Sequence, residues 1–280
     1  METDRERRAY WTSEMDAAYA FMLAVQDFPV QECGEAAVSL RHAAADAGVE
    51  VQFSELPHVR GLPRLFFLRA GLVEGFLSAG REMNARGWIL RVEDAFRTRE
   101  MQKHNALRPD VFPLVLEKVR WERGGKTPST ELFRRRLAAI IAMNPRVGTH
   151  CSGSAIDISV VDRSTGNEVE RGAPYLEISE KTPMGSPFVP AAAQENRAAI
   201  TELMARHGFQ TYPFEFWHYN AGDCYAGYLE RSGEPARYGP VDLDPATGRV
   251  TPIEDPTLPL NSPEEIEVRI AQVLGPRHGA

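Results

Sequence analysis

The chain has 280 residues, 43% of them apolar and 25% charged, and a net charge of −7. That length buries a proper core and makes one domain with extensions, or two at most. The acidic balance, without any dense run of Lys or Arg, excludes nucleic acid and anionic membranes as main partners, because both demand a basic surface.

In chain order, apolar spacing predicts a helix over residues 16–26 and a second over 35–47, stopped by Gly48. The apolar stretch at 17–25 is too short to span a bilayer, and no small-residue cleavage site clearly follows it. Cys33, Cys151 and Cys224 show neither metal spacing nor a disulfide framework, so a reducing, cytoplasmic setting is expected. Residues 49–53 alternate like a strand, 65–86 carry apolar residues at helical steps, and Gly87 closes that helix.

Residues 88–96 read as a strand with Trp88, Leu90, Val92 and Asp94 on one face. A helix follows over about 98–119, interrupted around 108–113, and another over 130–143 ends at Asn144 and Pro145. Residues 155–161 form the clearest strand, 164–167 a turn, and 191–207 an amphipathic helix stopped by Gly208. A last strand at 209–219 is interrupted by Pro213. Residues 231–260, rich in Gly, Pro and Asp, are expected to wrap the surface before a short helix that starts near Ser262 and Pro263. Helices mixed with a few strands and no βαβ rhythm imply an α+β fold: a small antiparallel sheet packed by helices, with the functional site in a cleft on the sheet.

Two segments carry chemistry: Gly148-Thr-His-Cys-Ser-Gly-Ser-Ala-Ile-Asp157 and Glu215-Phe-Trp-His218. In the 155–161 strand Asp157 shares a face with Ala155 and Ser159, opposite Ile156, Ile158 and Val160. An acid on such a strand is expensive to bury unless it is ion-paired or bound to a metal. A catalytic zinc wants three ligands from His and carboxylate and one open position, which His150, Asp157 and His218 would supply. Spacing alone leaves the alternatives open: a hydrogen-bonded His, a salt-bridged Asp, a core aromatic cluster. Glu215 and His218 would point to opposite faces of a regular strand, so sharing one site requires a local irregularity, expected near Pro213. Cys151 could be read as a fourth ligand, but adjacent residues point apart. His42, His58, His104, His207 and His278 lack matched partners and are expected to be structural or exposed.

The His150 and Asp157 segment and Glu215-Phe-Trp-His218 resemble the zinc D-alanyl-D-alanine dipeptidase family, within a wider fold shared with D,D-carboxypeptidases and some endolysins. Leu90-Arg-Val-Glu-Asp-Ala-Phe-Arg97, Pro183-Met-Gly-Ser-Pro-Phe188, Asn196-Arg197, and Gly208-Phe209 with Tyr212 are similar to further family segments. The resemblance spans about residues 65–220, implying a peptidase core there, an N-terminal helical extension over 1–64 and a C-terminal wrapping extension over 221–280. It implies one zinc per chain on His150, Asp157 and His218, Glu215 as the base, and Arg97 holding the carbonyl oxygen as charge develops. On the residues alone, Arg97 reads equally as a partner of Asp94.

Two positions depart from the family pattern. Val189 stands where the family has an Asp for the substrate's ammonium, and Glu177 and Glu180 are the nearest acids in sequence to replace it. Gly148-Thr149 replaces the family's Ser-Ser, so Thr149, with Ser154, is a candidate substrate contact. The implied activity is zinc-dependent hydrolysis of D-Ala-D-Ala or a related D-configured dipeptide of the cell-wall peptidoglycan, the partner being a small peptide substrate. The alternatives are a carboxypeptidase or amidopeptidase acting on longer peptides, favoured by Val189, and a non-catalytic, zinc-stabilised binding module.

Overall fold

The computed structural model describes residues 3–275; His278 and the outermost ends of both extensions lie outside the described residues. Helix α1 (Asp4–Gln26) starts well before residue 16 because a capping box begins it: Thr3 accepts from the Glu6 amide while the Glu6 carboxylate takes the Thr3 amide. Trp11, Met15, Ala18, Met22 and Val25 then recur at three- and four-residue steps along its buried face. The charges between those positions obscured the stripe in the sequence.

The expected 35–47 helix divides into β1 (Ala37–Ser39) and α2 (Leu40–Asp46), with Ser39 capping the helix. After β2 (Val51–Phe53), the start of the expected 65–86 helix is instead β3 (Phe67–Arg69), which pairs antiparallel with β1 ahead of α3 (Ala70–Ala85). Mutual pairing of two short segments overrides local helical spacing at both places. Next come β4 (Trp88–Asp94), α4 (Arg99–Asn105), α5 (Phe112–Glu122), α6 (Thr130–Ile140) and β5 (Ala155–Asp162). The chain continues through α7 (Ala191–Arg206), β6 (Gln210–Thr211), β7 (His218–Asn220) and α8 (Cys224–Glu230). It ends with the hairpin β8 (Val241–Leu243) and β9 (Val250–Pro252), then α9 (Pro263–Leu274), capped by Ser262.

The α+β class holds. The central sheet has the order β2-β4-β5-β7-β6 and is antiparallel except at one edge, where β2 runs parallel to β4. A parallel neighbour needs a crossover connection, and α3 provides it. One face of the sheet is the main core: Leu90, Val92, Ile156, Ile158 and Val160 pack against Phe76 and Met83 of α3 and Ile200, Leu203 and Met204 of α7. Helices α5, α6 and α9 enclose a second cluster around Phe112, Phe133, Leu137 and Ile266. α1 joins Phe21 and Val25 to Tyr212 and Tyr225 behind the β6–β7 connection. Among the described residues no helix is long and apolar enough to cross a membrane.

Candidate metal centre and its cleft

The face of the sheet opposite the main core carries the polar cluster. Its geometry begins with a bulge in β4: Val92 stands opposite Ile158 of β5, but Asp94 stands opposite Asp157. Residues two apart on a regular strand share a face. The extra residue therefore turns Asp94 away from the Leu90 and Val92 face, where alternation placed it, onto the face of Asp157. His218 on β7 is the direct neighbour of Asp157 on the other side.

His150 arrives from the 3-10 turn Thr149–Ser152 that precedes β5. Gly153 closes that turn at φ 65°, a left-handed conformation glycine adopts freely, and a Cβ there would sit 3.4 Å from Arg69 Nε. The expected single strand at 209–219 is a hairpin in which β6 pairs with β7. Its connecting turns run through the Glu215 amide on the Tyr212 carbonyl and the His218 amide on the Glu215 carbonyl. The irregularity expected near Pro213 is thus a turn, and it sets Glu215 on the wall of the same cleft as His218.

The ligand-type atoms of His150, Asp157 and His218 all lie within 4.8 Å of one another, and all three residues are buried. Asp157 Oδ1 is 3.2 Å from His150 Nε2 and 3.1 Å from His218 Nδ1. His150 Nδ1 donates to the Ala95 carbonyl at 2.5 Å, and a carbonyl only accepts, so in the neutral ring Nε2 carries the lone pair. That nitrogen has no hydrogen-bond partner among the described residues although it faces a carboxylate oxygen. Two lone-pair atoms turned toward each other in a buried site call for a cation between them. Ligands at roughly 2.0–2.2 Å around a tetrahedral zinc stand roughly 3.3–3.5 Å apart, close to the spacings on Asp157. The donor set fits a zinc-type ion. Cys151 is fully buried outside this group, so it makes no fourth ligand, and burial pushes its thiol up to about 12.

The second oxygen of Asp157 is held from outside the cluster. Arg97 Nη2 and the Tyr175 hydroxyl both donate to Oδ2, each at 3.0 Å. Arg97 is fixed in turn through Nε to Asp94 at 2.8 Å, and Asp94 also meets Arg64 at 3.2 Å and His58 at 3.4 Å. His58 therefore has a partner the sequence did not reveal. Burial pushes the Asp157 carboxyl up, but His150, His218 and Arg97 outweigh it and hold it well below the usual carboxylate range. Burial likewise pulls the His218 imidazole down. The Glu215 carboxyl is pushed up to about 8, first by burial and then by the charge of Asp157, with Arg97 opposing.

The expected substrate contacts separate. Thr149 lines the cleft, its hydroxyl 3.1 Å from His218 Nε2. Ser154 does not line it: this fully buried side chain donates to Asp223 at 2.7 Å. Glu180 is buried in ion pairs with Arg7 and Lys118, both 2.5 Å, and faces neither the cluster nor the cleft. Glu177 lines a small neighbouring pocket that shares Glu215, Ile178 and Trp217 with the cleft. Val189 is buried, and a side chain on Gly172 would run into it. Nothing in the sequence pointed to Tyr175 or Gln102, and Tyr212 stood out only as part of a family-like segment, without a place in the site. Tyr175 sits in an irregular stretch with no periodicity to assign it a face, and Gln102 and Tyr212 become cleft residues only through packing.

A model of peptidase family M15, described as D-Ala-D-Ala dipeptidase, matches residues 70–232. The D-alanyl-D-alanine dipeptidase of Enterococcus faecalis is 32% identical over 75 residues, covering 27% of this chain and 37% of the relative. That of Escherichia coli is 37% identical over 70 residues, covering 25% and 36%. The matched segments span little more than a third of these relatives' own length. Among solved structures, the LdcB LD-carboxypeptidase is similar with a TM-score of 0.35 and 16% identity over 67% of this chain and 72% of that one.

Proposed function

This chain belongs to the D-Ala-D-Ala dipeptidase family of M15 peptidases, and on that premise we propose that it hydrolyses the amide bond of a short D-configured peptide, D-Ala-D-Ala or a close relative, with the help of one zinc ion. The observation that carries this reading is Asp157 Oδ1 set 3.1–3.2 Å from the ring nitrogens of two histidines, with Glu215 on the wall of the same cleft. His150 Nε2, Asp157 Oδ1 and His218 Nδ1 would hold the ion. Zinc in such a site supplies a Lewis acid that lowers the pKa of water to about 7 and polarises a carbonyl.

The chain's own groups do the rest. Glu215 takes a proton from the attacking water and delivers it to the departing amine; a carboxyl raised toward neutrality is suited to both transfers. Arg97, with Nε on Asp94 and Nη2 on Asp157, keeps Nη1 for the carbonyl oxygen as it becomes negative, a placed donor of the kind commonly worth about 2.7–4 kcal/mol. Tyr175 and Arg97 orient Asp157 so that Oδ1 points into the cluster. Residues 65–220 would be the catalytic core, with 1–64 and 221–280 as its extensions; β2 from the first segment extends the sheet. The three cysteines, all free, suit a reducing, cytoplasmic setting.

The test is a dipeptide panel on zinc-loaded protein. Turnover of a D,D-dipeptide is expected, and Glu215→Gln should abolish it while metal content stays at one zinc per chain. No turnover on any D,D-, L,D- or L,L-dipeptide or its N-acylated form would sink the hydrolytic reading. Function unaffected by Glu215→Gln would favour a zinc-stabilised binding module.

A further inference from the structure

Three residues of the cleft lining each carry a buried polar atom with no hydrogen-bond partner among the described residues: His150 Nε2, Tyr212 Oη and Gln102 Oε1. The first belongs to the metal cluster, and Tyr212 stands in the turn beside Glu215. Gln102 belongs to neither. It lies on α4 at 1% exposure, and its Nε2 donates to the Ala142 carbonyl at 2.8 Å. Because that carbonyl only accepts, the amide nitrogen is pinned there and Oε1 is left as a fixed, neutral acceptor. Asn105, three residues along the same helix face, lines the cleft as well.

The charges of the cleft narrow what this acceptor can take. The carboxylates in its lining are Asp157 and Glu215. Asp157 is engaged by His150, His218, Arg97 and Tyr175, and Glu215 is the base. The other fixed charges in the lining are Arg97 and Arg108, the latter paired with Asp110, while Glu177 opens on the neighbouring pocket. Val189 is buried outside the lining. A free ammonium entering here meets no uncommitted carboxylate, whereas an amide N–H needs only a neutral oxygen. Building on the hydrolytic reading above, we propose that Gln102 Oε1 accepts the N–H of an acylated amino end. The cleft then takes N-acyl D-configured peptides, as at the end of a longer chain, in preference to free dipeptides.

Binding is measured by calorimetry on zinc-loaded Glu215→Gln protein, which separates binding from turnover. The ligands are D-Ala-D-Ala, N-acetyl-D-Ala-D-Ala, and the acetylated analogue whose first nitrogen is replaced by oxygen. The N-acetyl peptide is expected to bind about tenfold tighter than either of the others, the effect of one placed hydrogen bond. Adding Gln102→Met should erase that difference, and Gln102→Glu should move the preference toward the free dipeptide. The ester comparison needs no change at residue 102, so a misfolded variant does not blunt the test. Free dipeptide or ester binding as tightly as the N-acetyl peptide overturns the assignment and leaves Oε1 to an ordinary water; so does no binding of any of the three. The expected binding order without hydrolysis by the wild-type enzyme would overturn the hydrolytic reading and leave the Gln102 assignment standing.

Discussion

At Glu215, the proposed base, stability is coupled to one proton. Burial and the Asp157 charge raise its carboxyl from an ordinary value of 4.5 to about 8. A carboxyl raised on folding binds its proton more tightly in the folded state. Its contribution is therefore fully present below pH 4.5 and is lost as pH climbs through about 8. Metal-stripped wild-type protein should accordingly lose Tm between pH 5 and 8.5 relative to Glu215→Gln, whose side chain cannot ionise. Parallel Tm curves for the two proteins would show that Glu215 keeps a normal pKa. A dication in the cluster favours the carboxylate, so zinc should shrink the gap. His150 is the complementary case: the Ala95 carbonyl selects its tautomer, a backbone contact from the end of β4 that no reading of residues 148–157 contains.

Among the elements, the turns around the sheet decide more than the strands. Ser154, at the entrance to β5, ties that strand to Asp223, which also accepts from Asn220 and from the Tyr225 and Ala226 amides that begin α8. Its role is thus to hold the strand against the helix cap. Ser154→Ala leaves a buried carboxylate short of a donor and should cost about 1–3 kcal/mol of stability, read as a lower Tm in the zinc-loaded protein, with KM unchanged. A raised KM at normal Tm would return Ser154 to the substrate. The β4 bulge and the β6–β7 turns act in the same way. Each breaks strand parity once, and together they put Asp94, Asp157 and His218 on one face with Glu215 beside them.

Across the whole molecule, distant segments brace the cleft. Glu180 joins Arg7 of α1 and Lys118 of α5 to the stretch that carries Tyr175 onto Asp157. Glu180→Ala removes hydrogen bonds to charged groups and should cost about 1.5–3 kcal/mol. It should also weaken zinc retention against a chelator, although residue 180 touches no ligand. Lost stability with unchanged retention would mean that Tyr175 is positioned without this brace. The sequence by itself determined what depends on neighbours along the chain. The period of two that separates Asp157 from Ile156, Ile158 and Val160 is such a feature, as are the glycine after the His150 turn and the interruption between α4 and α5. Asp157 stood out on its residues alone, because a buried acid in an apolar strand demands a partner, whereas the roles of His150, His218, Glu215 and Arg97 were implied only by the family resemblance. Only the tertiary structure decided the pairing of β1 with β3, the parallel edge at β2, and which side chains line the cleft. The reason is physical. Pairing register and cavity walls are set by contacts between segments far apart in sequence, and one extra residue in β4 reverses a face that local alternation assigns with no sign of the change.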